Sequence, residues 1–228
     1  DSSGHLNFSG REYVSWMWKE DNATAGFDIV SFSGDGAASR DIAHSLGAAP
    51  EFILIQNRTD STDWFLDHKD LASVDSTLKL NTNSAQGTFT TGKYGDHTTT
   101  TFQVKQGSSD ANSVNGSGDN MIAYLFKSVD GFSKMGNYTG NGQSDGSFVY
   151  TGFKPALIII KQINTTTSWR VFDTKRDSSN KAFHYLVPDT IDAENGTSNT
   201  TAIDFLSNGF KMRGTASTIN TSGGTYIY

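Results

Sequence analysis

Five histidines are the first side chains to weigh for chemistry: His5, His44, His68, His97 and His184. None stands in an H-x-H or H-E-x-x-H spacing, so they read as surface or turn histidines and not as metal ligands. Cysteine is absent, which removes thiolate zinc sites and disulfide frameworks. Glutamate occurs only at Glu12, Glu20, Glu51 and Glu194, so a paired-carboxylate hydrolase would have to rest mainly on aspartate. No Gly-x-Ser-x-Gly elbow follows a strand in an α/β setting. Gly34-Asp-Gly36 and Gly140-Asn-Gly142 have the look of phosphate loops, yet no helix follows either one. Tight turns needing φ > 0 explain them better. Asp110, Asn112, Asn115 and Asp119 lie close enough in sequence to offer oxygens to Ca²⁺. Asn and Asp also cap turns through their own backbone, and that reading is preferred. The residues therefore predict no catalytic group, no metal and no cofactor.

Binding is the remaining chemistry, and aromatic rings are its best carriers here. Trp64 and Trp169 share a strand face with Leu66 and Val171 respectively, which assigns them to inter-sheet core. Better candidates are rings in a loop that differs between repeated segments, because divergent loops carry function on a fixed scaffold. Phe89 and Tyr94, within residues 81–97, are the candidate ligand-binding residues, and the matching stretch 188–199 lacks them.

That comparison depends on an internal repeat. Gly47-Ala-Ala-Pro50 and Gly152-Phe-Lys-Pro155 stand 105 residues apart. At the same offset Phe52-Ile-Leu-Ile55 falls on Leu157-Ile-Ile-Ile160, Trp64 on Trp169, Asn115 on Asn220, and Ser117-Gly118 on Ser222-Gly223. Glu51 falls on Ala156, which argues against a shared catalytic role for it. A partial third copy stands at the front. Asn7-Phe-Ser-Gly10 matches Asn115-Gly-Ser-Gly118, and Val14, Trp16 and Trp18 match Ile122, Tyr124 and Phe126.

The elements that must position these residues read as strands. Tyr13-Val-Ser-Trp-Met-Trp18 and Met121-Ile-Ala-Tyr-Leu-Phe126 alternate with strand period. The continuous apolar runs after Pro50 and Pro155 predict strands buried on both faces. Short helical turns are expected near residues 67–73 and 175–180. The predicted fold is all-β, with tandem β-sandwich-like repeats of about 105 residues, close to the ~100 of a small sandwich. The expected boundaries are 1–24 for the closing hairpin of a preceding repeat plus linker, 25–129 for the first repeat, and 130–228 for the second, its last strand incomplete. The first residues carry neither an initiator Met nor a signal-peptide pattern, and the chain is expected to be a segment of a longer protein.

Composition narrows the partners. A net charge of −6 argues against broad nucleic-acid or anionic-membrane binding. The longest apolar runs reach about six residues, against the ~20 needed to span a bilayer as a helix.

Three segments are distinctive beyond their physics: residues 131–155, Leu206-Ser-Asn-Gly-Phe-Lys-Met-Arg213 and Thr221-Ser-Gly-Gly-Thr-Tyr-Ile-Tyr228. They resemble an uncharacterised domain family found in tail, fibre and other structural proteins of marine and environmental bacteriophages. The resemblance covers residues 7–228 and brings no catalytic motif. It implies a non-enzymatic virion structural module at the virion surface, in a tail fibre, head fibre or decoration protein. Its partners would be other virion proteins, further copies of itself (a trimer by analogy) and a host-surface glycan, with no nucleic acid and no membrane insertion. The alternatives are a ligand-free spacer or capsid-binding protein, and a bacterial surface adhesin or carbohydrate-binding module.

Overall fold

A computed structural model of the protein describes residues 9–10, 12–21, 25–88, 93–106, 113–196 and 198–228. Among the described residues the regular elements are antiparallel strands and one short helix, α1 (Ser217–Asn220). In the first half, one sheet runs in the order β1 (Phe27–Ser33), β9 (Asn120–Phe126), β3 (Phe52–Asn57), β4 (Phe65–His68), β5 (Ser76–Lys79), β6 (Gly87–Thr88). Facing it is a sheet of β2 (Ser39–Ala43), β8 (Thr101–Lys105) and β7 (Tyr94–His97). In the second half, β10 (Asn137–Thr139), β16 (Thr225–Ile227), β12 (Leu157–Gln162) and β13 (Arg170–Asp173) form one sheet. The other holds β11 (Phe148–Tyr150), β15 (Gly209–Met212) and β14 (Ile203–Leu206).

The 105-residue offset reappears as register. Leu54 pairs with Leu66, and Ile159 with Val171. Gln56 pairs with Ile122 and Asn57 with Met121, while Lys161 pairs with Ile227 and Gln162 with Tyr226. Each partner has moved by the same number of residues. Since a one-residue slip would turn every side chain to the other face, a shared register means shared inward and outward sets.

Three apolar clusters result. One, around Ile53, Ile55, Phe102 and Leu125, fills the first sandwich. Another, around Ile158, Ile160, Phe172 and Phe210, fills the second. The third joins the halves: Leu54, Leu66 and Leu78 meet Ile163, Trp169 and Ile227. This explains the continuous apolar runs. Successive strand residues point to opposite faces. Ile53 and Ile55 enter the first core while Leu54, between them, enters the joint; Ile158 and Ile160 enter the second core while Ile159 packs on the joint.

Trp64 and Trp169 are placed differently from expectation. They belong to the layer between the halves and not to the interior of either sandwich. Trp169 is 1% exposed, and its indole Nε1–H donates to the Lys79 carbonyl across the joint at 3.1 Å. Backbone bonds add to it: Gln86 N–H donates to Ile163 O (2.9 Å) and Thr167 N–H to Asn83 O (3.0 Å).

Three expected elements are absent from where they were placed. Residues 13–18 form no strand, and among the described residues no strand lies alongside residues 14–18 to complete a ladder. Trp18 instead packs on Phe27 and Phe126, with ring centroids 6.3 and 5.9 Å away. The stretches near 67–73 and 175–180 are turns and bends without a helix, and the short helix lies at Ser217–Asn220.

Candidate functional site

Of the two residues chosen from the sequence for binding, only Tyr94 is among the described residues, and it is buried. Phe89 lies outside the described residues. Tyr94 is the first residue of β7, not a loop residue, and is 1% exposed. Its hydroxyl donates to the Phe65 carbonyl at 2.8 Å, and burial pushes the phenol well above its ordinary pKa. Tyr94 pairs with Val104 as Ile203 pairs with Met212, so its counterpart in the second half is another core residue. A ring in that position offers nothing to a ligand.

The polar clusters have structural partners. His97 Nε2 hydrogen-bonds Asp67 at 2.7 Å, and His184 Nδ1 bonds Asp177 at 2.7 Å. His68, expected near the surface, is buried, and its Nε2 sits 3.2 Å from the Tyr228 carbonyl. Glu51 reaches Lys69 at 2.7 Å and accepts from the Ser128 hydroxyl at 2.8 Å. Among the described residues no group of three or more His, Asp or Glu stands close enough together to hold a metal ion. Asp110 and Asn112 lie outside those residues, while Asp119 accepts a hydrogen bond from Asn57 at 2.9 Å.

The two Gly-x-Gly segments and the two matched asparagines come together. The Asn115 amide donates to Asp35 Oδ1 (2.8 Å) and the Ala37 carbonyl (3.1 Å). Asn220 donates to the Gln143 carbonyl (2.8 Å) and accepts from the Asn141 N–H (2.9 Å). The glycines are required there: Gly36 has φ +72° and Gly142 φ +71°, and a Cβ on Gly34 would stand 2.1 Å from the Gly116 carbonyl oxygen. Each pair is an internal turn lock, with its donors and acceptors consumed by the chain itself.

The outward face of the small sheet in the second half has open binding capacity. On β11, Val149 points into the core while Phe148 and Tyr150 point out, 47% and 65% exposed. Registration across the sheet makes two rows: Phe148–Lys211–Asp204 and Tyr150–Gly209–Leu206. Gly209 is what lets the rings lie low. A Cβ there would stand 2.1 Å from the Val149 carbonyl and 3.0 Å from the Phe148 ring. Beside the rings, Lys211 Nζ meets Asp145 at 2.6 Å and Arg213 Nε meets Asp204 at 3.3 Å. The Lys211 ammonium, hydrogen-bonded to Asp145, holds that carboxyl below its ordinary pKa. Asp204 Oδ1 is buried without a hydrogen-bond partner, so Asp204 serves to hold Arg213 and the open polar groups beside the rings are Lys211 and Asp145. Two cations face two anions, so the surface offers rings, donors and acceptors with no net charge.

The same face in the first half is different. Ile42 pairs with Phe102 as Val149 pairs with Phe210, which puts Asp41 and Ala43 where the second half has Phe148 and Tyr150. The Gln103 amide donates to Asp41 at 2.9 Å, so that row is occupied internally. Sequence reasoning sought divergence between the copies in a loop and missed it in a strand. The signal was present in the alternation of Phe148-Val149-Tyr150.

A shallow polar depression of about 320 Å³, lined among others by Ser31, Ser33, Arg58 and Asn120, lies on the first half and has no comparable ring pair.

A family match covers residues 1–228 in full. The chain belongs to DUF7483, a domain of unknown function. No curated protein and no solved structure matches it. For this DUF7483 chain, then, the residues of the outward β11–β15–β14 face carry the functional argument.

Proposed function

We propose that this chain is a non-enzymatic structural module of a virion surface, in a tail fibre, head fibre or decoration protein, and that it contacts host-surface glycans through the outward face of β11, β15 and β14. The virion setting rests on the resemblance of residues 7–228 to bacteriophage structural domains. The glycan reading rests on one observation: Phe148 and Tyr150 stand exposed on a rigid strand beside charge-balanced donors and acceptors. A sugar ring presents C–H groups on its faces and hydroxyls on its rim. Aromatic faces take the first, and groups such as Lys211 and Asp145 take the second. A single face of this size binds weakly, and repeated display multiplies such contacts into avidity.

A glycan array probed with a multivalently displayed chain tests this. Wild type is expected to give a restricted set of hits. Phe148→Ala and Tyr150→Ala should each weaken them at least about tenfold, equivalent to about 1.4 kcal/mol. Hits untouched by both variants, or no hits, would remove the glycan reading. The ligand-free spacer reading would then stand on the shared apolar joint, which makes the two halves one stiff body.

A further inference from the structure

Residues 13–19 repeat the sequence of a central strand but occupy no sheet here. Ser9-Gly10 matches Ser117-Gly118, and Gly10 has φ +78°, beside +81° at Gly118 and +75° at Gly223. The turn that precedes β9 and β16 is therefore present a third time. After it, Tyr13, Ser15 and Met17 fall on Met121, Ala123 and Leu125, while Trp16 and Trp18 fall on Tyr124 and Phe126.

The burial of the two sets is opposite. Met121, Ala123 and Leu125 point into the first core and are 0–1% exposed. Tyr13 is 48% exposed and Met17 is 89% exposed. The alternate face makes partial contact: Trp18 packs on Phe27 and Phe126, and the Arg176 guanidinium lies 5.7 Å from the Trp16 ring. Trp16 and Trp18 thus touch this molecule, although Val14 and Trp18 remain 44% and 42% exposed, and the core-type face with Tyr13 and Met17 looks outward. In β9 both strand edges are bonded, to β1 and to β3. Among the described residues no strand pairs with residues 14–19.

We infer that residues 13–19 are the closing strand of a further β-sandwich unit of this same fold, one without a β9-type strand of its own. The segment enters between that unit's β1-type and β3-type strands, with Tyr13, Ser15 and Met17 in its core. The partner's chemistry follows from β9: a sheet with a free backbone edge on both sides of the gap and an apolar inner face. The inference concerns assembly and is independent of the glycan reading.

Peroxide footprinting read by mass spectrometry tests it, because the chain holds four methionines that serve as internal references. In the isolated 228-residue chain, Met17 should oxidise while Met121 and Met212, at 1% and 0% exposure, stay intact. In the protein purified in its native assembly, Met17 should oxidise at least about tenfold more slowly, and amide hydrogens of residues 13–19 should be protected along the whole segment. Equal Met17 oxidation in both samples overturns the inference. Protection of Met17 with freely exchanging amides also overturns it, since a covering surface is then not a strand partner. Protection that appears in the isolated chain as its concentration rises assigns the segment to a second copy and overturns a separate unit.

Discussion

At the scale of single residues, Lys161 carries a pH dependence that can be worked out in sign. Its side chain is buried beside the joint, with Nζ donating to the Gln162 carbonyl at 2.7 Å. Burial lowers its pKa from 10.5 to about 8, partly opposed by Asp189. Between those values the unfolded chain binds more protons than the folded one, so stability rises as pH climbs from about 8 towards 10.5 and falls in the other direction. Below that window the buried ammonium costs about 3 kcal/mol. Lys161→Met should raise the urea midpoint at pH 7 and flatten the rise from pH 8 to 10, as followed by denaturation at each pH. The asparagine locks give a paired expectation. Asn115→Ala and Asn220→Ala each leave buried turn groups without partners, and each should cost about 1–3 kcal/mol in the same assay. Tyr94→Phe removes one buried hydrogen bond and should cost about 1 kcal/mol while leaving any ligand binding intact.

At the scale of elements, much was legible because strand period is written directly into residue type. The runs at Phe52-Ile-Leu-Ile55 and Leu157-Ile-Ile-Ile160 predicted doubly buried strands, and β3 and β12 are those strands. Alternation reports that two faces exist, however, and not which layer each one meets. For that reason Trp64 and Trp169 read as sandwich interior although they seal the joint. The same limit displaced the candidate site. Tyr94 sits in a Gly- and Thr-rich stretch that looks like a loop, but its pairing with Val104 sends the ring inward. Phe148 and Tyr150 alternate with Val149 as in any strand, and their exposure follows from the packed sheet, where they register with Lys211 and Gly209 on the outer face. Residues 13–18 have the pattern of a strand, but among the described residues no strand runs beside residues 14–18. A test at this scale is Trp169→Ala, which should cost about 3–5 kcal/mol and split a single thermal transition into two in calorimetry. Phe148→Ala should shift the same transition far less, by no more than about 1 kcal/mol, because its ring is half exposed on the outer face.

At the scale of the whole molecule, the sheets stack in four layers with the shared cluster in the middle. Leu54, Leu66 and Trp169 would all face water in a half that stood alone. This has a consequence for how such proteins diversify by recombination. A crossover at the short connection near Val129 would separate two surfaces that fit only each other, and the resulting hybrid would expose both. A crossover outside the pair leaves that fit untouched. The heritable cassette is therefore the doublet: its outer faces can drift, as Asp41 and Ala43 against Phe148 and Tyr150 show, while its inner faces must change together.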